Sequence, residues 1–330
     1  MKNSIVLFTS DRGITPAAAA KAAEDAGFYG FYVPEHSHIP TSRDSNHPGT
    51  GGEIPDDRYL RILDPWISLA TAAAVTSKIR LGTAVALPME HDPITLAKTL
   101  ATLDHLSGGR LTLGVGFGWN VEELEDHGVP GNKRRTVLRE YLELMRELWT
   151  NEVASYEGEF ATLKPSWAWP KPTQPEIPVL VGAGGTEKNF NWIARSASGW
   201  ITTPIETDIE ERVGLLNRIW TDSGRDGKPR VVVLVTSKLQ PGQVERWAEA
   251  GVDECMFGLP DKSTDETLAF IEKMGGALAQ GRHFRDAGMA GQRLQPAHLH
   301  QHPVADQAVL AENRPQIGGL VGIAAVDGRN

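Results

Sequence analysis

Four consecutive residues, Glu35-His36-Ser37-His38, follow the short apolar run Gly30–Val33 and Pro34. An imidazole changes charge near neutral pH and a neighbouring carboxylate can orient it, so Glu35 and His36 form a candidate acid–base pair. Adjacent residues on an extended chain point to opposite faces. Glu35 and His36 therefore need a bulge or turn to reach one ligand, and a plain polar loop is the competing reading. His36 and His38 have no evident third ligand, so no metal site is expected.

A second group is Gly182-Ala183-Gly184-Gly185-Thr186, between a strand and a helix. Unpaired amides, little side-chain bulk and the positive end of a helix suit a phosphate. A third is Gly114-Val115-Gly116-Phe117-Gly118-Trp119-Asn120, whose alternating glycines allow close approach by a ligand or a helix. Trp119, Trp167 and Trp169 are candidate apolar walls. Small residues in Gly82–Pro88 would let a flat ring approach the backbone, or simply pack as a strand. Lys133-Arg134-Arg135 opens a helix, where positive charge is unfavourable; a nearby anion or a solvated surface would explain it. His298, His300 and His302 alternate in the tail, where no fixed metal-binding backbone is expected.

These groups sit at the ends of short strands. The expected strands are Ser4–Phe8, Gly30–Val33, Ile79–Leu87, Arg110–Val115, Val179–Val181, Gly199–Thr203, Arg230–Thr236 and Val252–Gly258. Helical segments separate them, several begun by Thr15-Pro16, Asp64-Pro65 or Asp92-Pro93. Eight strand–helix units imply parallel strands with right-handed crossovers. The expected fold is an α/β (β/α)8 TIM barrel with insertions after strands two and four; an open doubly wound sheet is the alternative. The insertion from Ser37 to Asp57 is too long for a simple connection. Residues 133–149 carry apolar side chains at helical spacing and are a candidate dimer face. Residues 1–280 read as the barrel domain. Residues 281–330 contain no Tyr, Trp, Cys or Lys and read as a C-terminal extension without a packed core.

The chain has 330 residues, against about 250 for a typical barrel, and a net charge of −9. That balance argues against a nucleic-acid partner. The one cysteine, Cys255, excludes an internal disulfide framework and fits a reducing compartment. Residues 1–10 lack the length and cleavage pattern of a signal peptide, and no stretch approaches the roughly 20 apolar residues of a membrane span. A soluble, cytoplasmic protein without a membrane partner is expected.

Taken together, Val33-Pro34-Glu35-His36, the block Leu81–Asn120 and Val181–Thr186 resemble the bacterial luciferase-like monooxygenase superfamily, most closely its F420-dependent oxidoreductase branch of actinobacterial type. The resemblance covers roughly residues 3–279. It implies an enzyme using coenzyme F420, or alternatively FMN as a flavoprotein monooxygenase, on a small-molecule substrate. It places Glu35 near the ring system and makes His36 the acid–base residue. It sets Ala84 and Val85 against the ring through a non-proline cis peptide, and Gly116, Phe117 and Asn120 near the ribityl chain. Gly182, Ala183, Gly184 and Gly185 would hold the coenzyme phosphate. Trp119 stands where some relatives are acidic, which sets their substrate class apart. A non-catalytic coenzyme-binding barrel and a phosphosugar-type barrel are the rival readings.

Overall fold

Each β-branched run feeds a helix that must pack back onto the strand it left, and this repeated crossover makes neighbouring strands parallel. The computed structural model describes residues 1–279 except positions 49, 56, 205–207, 237–238 and 261. In chain order the first elements are β1 (Lys2–Val6), α1 (Pro16–Asp25), β2 (Gly30–Val33), α2 (Pro65–Val75), β3 (Arg80–Thr83), α3 (Pro93–Ser107) and β4 (Leu111–Gly116). There follow α4 (Val121–Asp126), α5 (Arg134–Thr150), β5 (Ala154–Glu157), β6 (Thr162–Ser166), β7 (Val179–Gly182), α6 (Glu187–Ser196) and β8 (Gly199–Thr202). The last are α7 (Ile209–Asp222), β9 (Arg230–Val235), α8 (Gln243–Ala250), β10 (Glu254–Gly258) and α9 (Thr264–Ala279).

Eight strands close into a parallel barrel in the order β1-β2-β3-β4-β7-β8-β9-β10. β1 seals it against β10, from Lys2 opposite Glu254 to Val6 opposite Gly258. The expected (β/α)8 architecture is therefore present and the open-sheet alternative is excluded. Helices α1, α2 and α3 begin as their sequences predict. Thr15, Asp64 and Asp92 accept from the amides of Ala18, Ile67 and Thr95, and proline occupies the first turn. The tail expectations, including the three alternating histidines, lie outside the described residues. No helix among the described residues is long and apolar enough to cross a membrane.

The barrel interior is filled rather than hollow. Val6, Tyr32, Leu180, Ile201, Val232 and Met256 pack together, with Ala84 and Val85. A Cβ on Gly82 would stand 2.5 Å from the Thr112 carbonyl and 2.6 Å from the Tyr32 ring, so only glycine lets that ring lie flat in the interior. At the N-terminal end, fully buried Glu254 accepts from Ser4 and Arg230, and Arg230 also donates to the Tyr32 hydroxyl at 3.2 Å. This polar set closes the floor, leaving the opposite rim for chemistry.

Four features differ from the sequence reading. The third strand ends at Thr83 instead of Leu87, and the Ala84–Val85 peptide that follows is cis. Ala86 then rejoins β4, donating to the Gly114 carbonyl and accepting from the Gly116 amide. Second, the connector after α5 contains the antiparallel pair β5–β6, fastened to α5 where Glu140 accepts from the Phe160 amide and Glu143 from the Tyr156 hydroxyl. Third, the apolar face of α5 (Leu138, Leu142, Met145, Leu148 and Trp149 among others) is buried within its own chain, so it is not available to a second copy. Fourth, Trp167 and Trp169 are 75% and 62% exposed and do not wall a pocket at the rim.

Candidate active site

β2 ends at Val33, and the two residues that follow Pro34 part company. The Glu35 carboxylate accepts from the Leu87 amide at 2.6 Å and lies 2.7 Å from His91 Nε2, while its own amide donates to the Val85 carbonyl. Glu35 thus clamps both sides of the cis Ala84–Val85 turn, and its two oxygens are occupied. It does not meet His36. Burial disfavours the His91 imidazolium, but the hydrogen bond and charge of Glu35 outweigh that, and the pKa of His91 is raised.

His36 turns the other way. Its Nδ1 lies 2.7 Å from Glu123 Oε2, with the two side chains 7% and 0% exposed. Trp119 donates its indole N–H to His36 Nε2 at 3.3 Å. An imidazole that accepts at Nε2 and faces a carboxylate at Nδ1 is assigned, from this network, as the neutral Nδ1–H tautomer. The Nε2 lone pair is the side that can take a proton. The Trp119 ring also meets His36 and His47 edge-on, at centroid distances of 5.6 and 5.1 Å, so this tryptophan seats the histidine as well as lining the rim.

Glu123, not Glu35, is therefore the carboxylate partner of His36. It also accepts from the Ser37 amide at 2.8 Å and from Asn120 Nδ2 at 3.2 Å. Its neighbour Glu122 accepts from the amides of Asp44 and Ser45 at 2.6 and 3.1 Å. The Ser45 hydroxyl and these amides pull the Glu122 pKa down to about 2. Consecutive carboxylates of α4 thus hold two points of the long segment after β2. Sequence reading missed both. Their signal was an acidic first turn after Asn120, but nothing in the sequence joins Glu123 to a histidine 87 positions earlier.

A third carboxyl lies against this pair. The Glu90 side chain is 1% exposed and stands 4.0 Å from His127 Nε2. Neither of its oxygens has a well-formed hydrogen bond among the described residues. Burial, then the charges of Glu123 and Glu35, push its pKa up to about 9, with Ser37 offsetting only part of this. At neutral pH it is an uncharged acid.

The glycine turn after β7 lies on the same rim, because Gly182 is in register with Gly116 at the end of β4. No acceptor among the described residues takes the amides of Gly184 or Gly185. The Gly184 carbonyl is held by Asn189 Nδ2 at 2.8 Å, and Asn189 Oδ1 accepts from Arg135 at 2.8 Å. Arg135 also stacks over Phe117 at 4.0 Å, and the Arg212 side chain lies 3.0 Å from where a Gly185 Cβ would be. Two amides without an acceptor among the described residues, the start of α6 and two arginines are an arrangement that could hold an anion. Gly116 and Gly182 serve another purpose: a Cβ on either would fall within 2.8 Å of the Val85 side chain, so they receive Val85. Asn120 is directed to Glu123, with Oδ1 unpartnered among the described residues. The buried hydroxyls of Thr9, three residues after β1, and Thr202, at the end of β8, are unpartnered among the described residues too. An open cleft of about 580 Å³ between α7 and α8, lined by Asp208, Arg246 and Trp247 among others, includes none of these groups.

This is a parallel barrel with a histidine–carboxylate pair, a cis turn and a glycine turn with unpaired amides on its C-terminal rim. The chain belongs to the luciferase-like monooxygenase family, whose model matches residues 16–313. It is 64% identical over 280 residues to an uncharacterized protein of Mycobacterium tuberculosis, covering 84% of this chain and 99% of that one. An F420-dependent glucose-6-phosphate dehydrogenase of Segniliparus rotundus is 40% identical over 156 residues, covering 44% of this chain and 45% of the relative. Among solved structures, an F420-dependent secondary alcohol dehydrogenase superposes with a TM-score of 0.65 at 19% identity, covering 86% and 100% of the two chains. The oxygenating constituent of 3,6-diketocamphane monooxygenase of Pseudomonas putida, in complex with FMN, superposes at 0.58 and 16% identity, covering 73% and 68%. The family's members are oxidoreductases that use F420 or FMN.

Proposed function

We propose that this chain is a coenzyme F420-dependent oxidoreductase acting on a small organic substrate. The observation that carries the proposal is the neutral His36 ring, fixed at Nδ1 by Glu123 beside the Ala84–Val85 turn and opposite a bare-amide cradle. The residues fit the group. The amides of Gly184 and Gly185, aided by Arg135, would hold its phosphate, and Ala84 and Val85 would back its ring. Phe117, braced by Arg135, and Ala183 would line the chain between them. Glu35 supports the turn behind Ala84–Val85, and Asn120 supports Glu123. Bound there, the deazaflavin supplies hydride acceptance or donation at C5. His36 accepts the accompanying substrate proton at Nε2, or returns one in the reverse direction. Glu123 stabilises the imidazolium that forms, and the Trp119 indole gives up its contact with Nε2 to the substrate. A reducing, cytoplasmic setting accords with the single buried thiol of Cys255.

Difference spectra of the purified chain with F420 and with FMN test the coenzyme. Binding of FMN with no measurable affinity for F420 overturns the deazaflavin reading in favour of a flavin monooxygenase. His36→Ala is expected to lower turnover by about 10²–10⁴-fold while coenzyme still binds. Unchanged turnover removes His36 from the mechanism, and binding without turnover in the unaltered chain favours a non-catalytic carrier.

A further inference from the structure

The reaction proposed above needs a route for the proton that His36 gains, and the side of the ring facing away from the substrate offers one. Glu123 is fully buried, and its Oε1 meets the exposed Ser37 hydroxyl at 3.4 Å. That hydroxyl lies 2.9 Å from His38 Nδ1 and 2.7 Å from His127 Nε2. His38 Nε2 in turn lies 2.9 Å from the exposed Asp126 carboxylate. From this unbroken series we infer that Ser37, with His38 and His127, is the proton exit of the His36–Glu123 pair. The inference rests on the acid–base role of His36.

Donor and acceptor counting shows how such a route switches. Asp126 accepts, so His38 Nε2 donates. While His38 is neutral, its Nδ1 is a lone pair and takes the Ser37 hydroxyl proton. Once His38 is an imidazolium, Nδ1 donates to Ser37 Oγ, and the hydroxyl proton turns toward Glu123. His127, whose pKa is lowered by burial and by His38, shares the same hydroxyl and, in its Nε2–H tautomer, donates to Ser37 Oγ in either case. Glu90 lies against His127 on the inner side, and Glu35, which holds His91, faces Glu90 as well.

The step balances as a transfer of one proton with no change of electrons. His36 Nε2 takes the substrate proton, and the Nδ1 proton passes to Glu123 Oε2. The Glu123 carboxyl then rotates and gives that proton to Ser37 Oγ as the hydroxyl releases its own to His38 Nδ1, which hands one to water. On product release Nε2 passes its proton to water while Nδ1 regains one along the same route, a net change of zero. The route lies on the α4 side, so it stays open with substrate over Nε2.

Ser37→Ala removes the hydroxyl and keeps the amide bond to Glu123. In the full chain with ¹⁵N-labelled histidine, exchange of the His36 Nδ1 proton with water is measured by NMR without coenzyme. The variant is expected to slow exchange by roughly tenfold, one decade in rate, with the His36 ring shifts unchanged, and Ser37→Thr is expected to restore it. Equal exchange in Ser37→Ala and the unaltered chain overturns the relay, even if His36→Ala abolishes turnover. Slowed exchange together with full turnover in His36→Ala leaves the path standing and removes its proposed use.

Discussion

Glu90 offers a test in which the sign and size both follow from the structure. In the unfolded chain this carboxyl ionises above its ordinary 4.5, whereas in the fold it holds its proton up to about 9. Between those values the folded state binds more protons than the unfolded one, so stability falls as pH rises. The contribution is fully present below pH 4.5 and is lost progressively as pH climbs through about 9. At about 1.4 kcal/mol per unit, it removes roughly 3 kcal/mol between pH 5 and 7. Glu90→Gln keeps the shape and cannot ionise. It adds no charge change at neutral pH, because Glu90 is already uncharged there. The variant is expected to gain on the unaltered chain as pH rises, by an amount that reaches roughly that figure at pH 7. Urea unfolding followed by fluorescence of the nine tryptophans at pH 5, 6, 7 and 8 measures the difference, and all other titrations cancel between the two chains. Parallel stability curves across this range would mean that Glu90 is solvated and charged, and would refute the reasoning. Activity should follow the same group: near pH 9 ionisation sets a third negative charge beside Glu123 and Glu35. The alkaline decline that results should be absent in Glu90→Gln.

Three further tests reach other parts of the molecule. Glu123→Gln should lower turnover through His36 alone, so adding it to His36→Ala should cost nothing more; an additional loss in the double variant would show an independent role. Arg135→Ala should weaken F420 binding by about 10–100-fold, the scale of one hydrogen bond to a charged group, with His36 unaffected; an unchanged Kd by fluorescence titration removes Arg135 from the cradle. Glu254→Leu strands Arg230 at the barrel floor and should cost about 3–5 kcal/mol in urea unfolding. A loss below about 1 kcal/mol would show that the floor pair is solvated.

The barrel was legible because its signals are local: alternation of β-branched runs with Thr-Pro and Asp-Pro helix starts needs only neighbours in sequence. The β5–β6 hairpin was not, because Pro165 and the two tryptophans after it mask a strand that is held from outside by Glu140 and Glu143 of α5. The site divides in the same way. His36 and the Gly182–Gly185 turn stand out by type and by position after a strand. Glu35 stood out equally, yet its carboxylate supports a turn. Pairing is decided in three dimensions, where strand geometry sends consecutive side chains apart and brings α4 to one of them. Alternating glycines likewise suggested ligand approach, but the side chain admitted at Gly116 and Gly182 is Val85.

Helix α4 links these observations. It is only six residues long, too short to be stable by its own hydrogen bonds, so its place depends on the buried Leu124 side chain and on what its carboxylates hold. Glu122 holds the amides of Asp44 and Ser45, Glu123 holds His36 and Ser37, and Asp126 holds His38. The same six residues therefore anchor the segment after β2, set the tautomer of the reactive ring and end the route to solvent. A change that displaces α4 therefore reaches both the segment at Asp44–Ser45 and the carboxylate facing His36 Nδ1.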